Sequence, residues 1–173
     1  MSTQATSDLA EPPPPLKPSV PAKPKFGWEP PRKFLQDALD LLPQHMAEVD
    51  PGVPIDPDYA CYLRWADQGI LHVWTVRLEG GLIGYIVALI TTNTKWRTNV
   101  WSFCDLYWLA PEHRKGRLGL RMFRSYFKAL RDSGVTGVQI KTRESPLGKR
   151  IANWFQRALR MKQTEVIYER RFK

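Results

Sequence analysis

At 173 residues, with 43% apolar and 12% aromatic content, the chain has material for one domain with a full core. Its longest apolar run, residues 82–90 with one glycine, falls well short of the roughly 20 residues that span a bilayer. The net charge of +9 is uneven, since residues 1–110 carry 9 Lys/Arg against 12 Asp/Glu and residues 111–173 carry 17 against 5.

Residues 1–25 read as a tail. Pro12 to Pro15, Pro18, Pro21 and Pro24 oppose helix and sheet ladders, and few large apolar side chains are there to bury. This is an unstructured leader or a polyproline II arm that docks on a partner. No charged segment followed by an apolar block precedes the domain expected over 26–173, so no secretory signal is expected. Cys61 and Cys104 are too few for a disulfide framework and lack metal spacing, which suits reduced thiols in a cytoplasmic protein.

From Pro31, Phe34, Leu35, Ala38, Leu41 and Leu42 recur at helical spacing until Pro43 interrupts, and a short second piece carries His45, Met46 and Val49. Residues 58–68 form a further helix that Gly69 closes. Strands over 71–78 and 82–91 flank a turn at Glu79-Gly80-Gly81. Residues 92–100 are a polar connection, and 101–109 a third strand. An amphipathic helix over 118–133, a strand over 135–142, a helix over 145–159 and a strand over 165–172 complete the chain. This order predicts a mixed α/β sheet flanked by helices, with parallel pairing across the 118–133 helix.

The most informative stretch is Asp105-Leu-Tyr-Trp-Leu-Ala-Pro-Glu-His-Arg-Lys-Gly-Arg-Leu-Gly119. A strand delivers a turn rich in cations and glycine directly to a helix start. Backbone N–H groups and the helix dipole favour an anion there, so the layout is that of a pyrophosphate cradle. The basic half of the chain begins at this point. Its field attracts a polyanionic cofactor, nucleic acid or an acidic protein, or it is only the solvated face of Arg-rich helices.

These features together resemble the GNAT superfamily of N-acetyltransferases, and most of all its bacteriophage-encoded members. The resemblance spans residues 31–173 and rests on Leu42-Pro-Gln-His45-Met-Ala-Glu48-Val, on Gly84-Tyr85, and on Asp105, Leu109, Pro111 and Arg114 ahead of the loop. It implies the GNAT-like acyl-CoA N-acyltransferase fold, with a mostly antiparallel central sheet, and acetyl-CoA as co-substrate without a metal. Arg114, Lys115, Gly116, Arg117, Leu118 and Gly119 would then surround the pyrophosphate, and the backbone of Trp108 and Leu109 would pair with the pantetheine arm. The backbone around 107–109 would polarise the thioester carbonyl.

Three positions depart from the family pattern. Arg117 stands where Gly is usual, one place after Gly116, and either reaches a phosphate or crowds the site. Gln156 stands where a thiolate-protonating Tyr is common. Arg160 replaces a Gly and implies a different helix ending.

Strand alternation puts Phe103, Asp105, Tyr107 and Leu109 on one face. An Asp among these aromatics would be desolvated towards a useful base, or would be a hydrogen-bonded structural residue. Tyr107 is a thiolate proton donor or a packed ring. By the family analogy His45 and Glu48 lie near the substrate mouth, or else occupy an ordinary surface turn. Trp96 and Arg97 in the polar connection would meet an acidic or planar acceptor, or stack on nucleic acid. Cys104 reads as core, His113 as exposed loop and His72 as structural.

The expected activity is acetyl transfer from acetyl-CoA to an amine of a protein or small molecule. The alternative is an inactive GNAT-fold module of a phage particle, or one that grips a host protein.

Overall fold

The computed structural model describes residues 22–49, 51–93 and 96–165. The strand expected over 165–172 and most of the tail lie outside that set.

Among the described residues, five strands make one sheet in the order β1-β2-β3-β4-β5. β1 (Lys25–Glu29) departs from expectation, because it begins inside the expected tail. Pro24 and Pro30 bracket it and Gly27 interrupts its pattern, so little in the sequence marks it as a strand. Its ladder is supplied by β2 (Leu71–Leu78), against which it lies antiparallel as an edge. Phe26 packs on the core beneath, and Trp28 meets Trp74 and Tyr126 edge-on.

Three short helices follow β1. α1 (Pro31–Ala38) buries Phe34 and Ala38. A continuous helix would drive the Pro43 ring into the Leu39 carbonyl, so α1 stops and α2 (Leu42–Val49) restarts with the proline in its first turn. α3 (Tyr59–Asp67) is capped by Asp58, which accepts from the Cys61 N–H at 2.8 Å. Arg77 on β2 fastens α1 to the sheet edge, pairing with Glu29 at 2.5 Å and with Asp37.

β2 turns into β3 (Gly81–Asn93) through Glu79 and Gly80, whose φ values of 52° and 89° are those of a two-residue hairpin. β4 (Trp96–Leu109) then returns antiparallel. The polar connection expected over 92–100 is therefore mostly strand. Thr91, Thr92, Thr98 and Val100 are β-branched, and cross-strand pairing outweighs their polarity.

α4 (Leu118–Asp132) crosses over to β5 (Gly137–Ile140), which pairs parallel with β4, as the order of elements predicts. α5 (Pro146–Leu159) ends at Arg160 in the left-handed region, at φ 55°. The helix therefore keeps a glycine-like ending, and the different ending expected from Arg160 is not found.

The sheet has two apolar faces. Trp74, Val76, Ile86, Ala88 and Cys104 meet α4 and α5, while Leu71, Val73, Tyr85, Val87 and Trp108 meet α1 and its neighbours.

Candidate active site

The site is organised by an irregularity in β4. Val87 pairs with Leu106 and Ala88 with Cys104, so Asp105 is one residue too many. The bulge reverses the alternation that would put Asp105 and Tyr107 on one face. Asp105 emerges exposed on the α3 side, where its carboxylate accepts a 2.9 Å hydrogen bond from the Tyr62 hydroxyl. It is not wrapped in aromatics. Tyr107 points the other way, its ring 5.7 Å from Phe123 of α4 and 5.7 Å from Phe155 of α5, and burial raises the pKa of its phenol. The two residues expected to share the chemistry thus lie on opposite faces. Cys104 is buried in the α4/α5 core, as its opposite parity to Asp105 implies.

The bulge also sits where the sheet opens. The β4–β5 ladder runs from Trp101↔Gly137 to Cys104↔Ile140, where β5 stops, and among the described residues β4 continues to Leu109 paired with β3 only. Residues 105–109 therefore line a gap. The Ala110 N–H donates to the Ile83 carbonyl at 2.8 Å, and hydrogen-bonded pairs alternate along the β3–β4 ladder. The Trp108 amide is consequently spent on Tyr85. The amides of Tyr107 and Leu109 face the open side, so of the two positions named for the pantetheine arm only Leu109 has the right parity.

Beyond β4, a 3-10 turn over Pro111–His113 leads to the cradle. Gly116 has φ +86°, with open space for 4 Å around the point a Cβ would occupy, whereas Arg117 has φ −106°. Gly116 therefore takes the left-handed position, and Arg117 sits unstrained at the start of α4. Its side chain makes no cap, and no acid occupies the first turn, so the Leu118 and Gly119 end of α4 keeps its positive dipole. Lys115 and Arg117 are exposed beside it.

Arg114 is engaged elsewhere. Its Nε donates to the Leu109 carbonyl at 2.7 Å, a terminal nitrogen pairs with Glu48 at 2.8 Å, and its guanidinium lies 5.8 Å from the Trp108 ring centre. It braces the loop against α2 and the end of β4.

The residues expected at the substrate mouth are divided between α2 and the start of β4. His45 is 3% exposed and shares a 2.7 Å hydrogen bond with the Tyr85 hydroxyl. Glu48 is taken by Arg114. Arg97 is exposed on the far end of β4, about 25 Å along the strand from Asp105. The Trp96 side chain lies outside the described residues. Tyr62, the partner of Asp105, reads in the sequence only as part of a helix's apolar face. A signal exists in principle, because a half-buried Tyr needs a partner for its hydroxyl.

Burial lowers the His45 pKa to about 4, against a small opposing effect of Glu48 and with help from Arg114. The unfolded chain then binds a proton between pH 6.5 and 4 that the folded chain refuses. Stability is full above pH 6.5 and declines by up to about 3 kcal/mol as pH falls through that window. Urea titrations at pH 7 and pH 4 should show His45→Gln losing less over this interval than the parent protein.

Between the sheet and the first helices lies a small apolar pocket of about 50 Å³. Phe34, Leu35, Ala38, Tyr62, Val87 and Leu106 are among its walls, and no charged residue lines it. Tyr62 and Leu106 bring it to the bulge. Among the described residues, no group of three His, Cys, Asp or Glu is placed to hold a metal, and no helix is long and apolar enough to cross a membrane.

An uncapped helix start beside an opened parallel pair, with a carboxylate on the bulge, can place an anionic group next to a proton acceptor. The sequence matches the acetyltransferase (GNAT) family over residues 34–156, and the chain belongs to that family. Similar solved structures include an aminoglycoside acetyltransferase from an uncultured soil metagenomic sample, in complex with sisomicin. It is 11% identical, with TM-score 0.68 over 87% of this chain and 97% of its own. A ribosomal-protein-alanine N-acetyltransferase from Brucella melitensis is 12% identical, with TM-score 0.65 over 87% of this chain and 100% of its own. An acetyltransferase from Trypanosoma brucei is 12% identical, with TM-score 0.62 over the same shares. No curated protein sequence matches the chain. At these identities the likeness extends to the fold.

Proposed function

We propose that the protein moves an acetyl group from acetyl-CoA to a primary amine by direct attack on the thioester. The observation that carries this reading is the uncapped start of α4, beside Gly116, at the mouth of the gap where β4 outruns β5. The α4 amides, Lys115 and Arg117 would hold the diphosphate, and the outward amides of Tyr107 and Leu109 would receive the pantetheine and the thioester carbonyl. Acetyl-CoA supplies an activated acyl carbon with a thiolate leaving group. As the new C–N bond forms and the C–S bond breaks, Asp105 takes the proton leaving nitrogen, directly or through water, and the thiolate is protonated from solvent.

Calorimetry with acetyl-CoA tests the cradle. The parent protein should bind. Lys115→Glu combined with Arg117→Glu, both at exposed positions, should weaken binding by at least about 10-fold with the fold intact. Absence of binding by the parent protein at millimolar acetyl-CoA would remove the proposal.

A second reading keeps the fold and drops the chemistry: a structural or host-protein-binding module. Exposed Gln156, which has no ionisable proton, and Arg114, held by Glu48, favour it. Turnover of any amine by the parent protein, lost in the Lys115/Arg117 double variant, would exclude it.

A further inference from the structure

The walls of the pocket beneath α1 and α3 carry information about the acceptor that the fold alone does not. We infer that the acceptor is a monoamine on an apolar alkyl or aryl body, its body in this pocket and its nitrogen at Asp105. The inference rests on the acetyltransferase reading and narrows it.

The walls are aliphatic and aromatic, with tyrosine hydroxyls as the polar groups. Two of these are already engaged, Tyr85 with His45 and Tyr62 with Asp105. An acceptor bearing several ammonium groups would press them against apolar surface without counter-charges, at a cost that grows with each one.

A single ammonium fares differently. Tyr62 belongs to the pocket wall and touches Asp105, so the carboxylate stands where an apolar body would present its amine. Asp105 is also the bulge residue, at the point where the β4–β5 ladder ends. Apolar pocket, one carboxylate and the open strand edge therefore meet at one place. The bound ammonium first gives one proton to solvent; the neutral amine then attacks, its remaining surplus proton leaves through Asp105, and the departing thiolate takes up one proton to become the thiol.

The test compares 2-phenylethylamine and hexylamine with sisomicin and spermidine, following thiol release, while calorimetry monitors acetyl-CoA binding independently. The monoamines should exceed the polyamines by at least about 10-fold in kcat/KM. Ala38→Phe, which fills the pocket, should erase that preference with acetyl-CoA affinity unchanged. Leu39→Asp, at an exposed rim position, guards against misfolding of the first variant and should lower monoamine turnover while raising that of sisomicin. If acetyl-CoA binds but polyamines are preferred, no monoamine is acetylated, or both variants behave like the parent, the acceptor inference is overturned and the acetyltransferase reading survives. Failure to bind acetyl-CoA would overturn both.

Discussion

Asp105→Asn should lower kcat/KM for amine acetylation by about 100-fold or more, the usual contribution of a positioned general base. Asparagine keeps the size of the side chain and can still accept the Tyr62 hydroxyl, so packing is preserved and only the basic group is lost. Acetyl-CoA affinity and the melting temperature should stay at parent values. Tyr62→Phe supplies the contrast: Asp105 keeps its charge and loses its anchor, so the loss should be smaller and shared between kcat and KM. A variant Asp105→Asn with parent-like turnover would show that the proton leaves by another route.

The largest effect on stability is expected at the start of α5. A Cβ on Gly148 would lie 1.8 Å from the Arg143 carbonyl oxygen, a distance that only movement of the backbone can relieve. That backbone is held on both sides: the Gly148 N–H donates to the Ser145 hydroxyl at 3.0 Å, and the Ser145 N–H donates to the Arg143 carbonyl at 3.0 Å. Gly148→Ala should therefore cost about 4 kcal/mol or more, at the severe end for a single methyl. Loosening α5 would also withdraw Phe155 from the core it shares with Phe123 and Tyr107. Gly119→Ala is the control, because its Cβ would meet only Leu109 at an ordinary 3.8 Å, and a helix gains up to about 1 kcal/mol from that exchange. Urea midpoints for the two variants should move in opposite directions.

Much of the architecture is legible in the residues themselves. The Glu79-Gly80 turn, the amphipathic stripe of α4 and the Gly-bearing loop before it are local signals, because turn dihedrals and helical periodicity are decided within a few residues. The cradle belongs to the same class, down to the glycine that takes the positive φ, although that role falls to Gly116 and leaves Arg117 in ordinary backbone. Pairing decided what remained. Whether Asp105 faces Tyr107 or Tyr62 depends on how β4 registers against β3, and one extra residue turns a shared face into two opposed ones. The burial of His45, the capture of Arg114 by Glu48 and the placing of an uncharged pocket beside a carboxylate all join segments far apart in the chain. No local pattern encodes such contacts, since each depends on which surfaces remain to be covered once the sheet has formed.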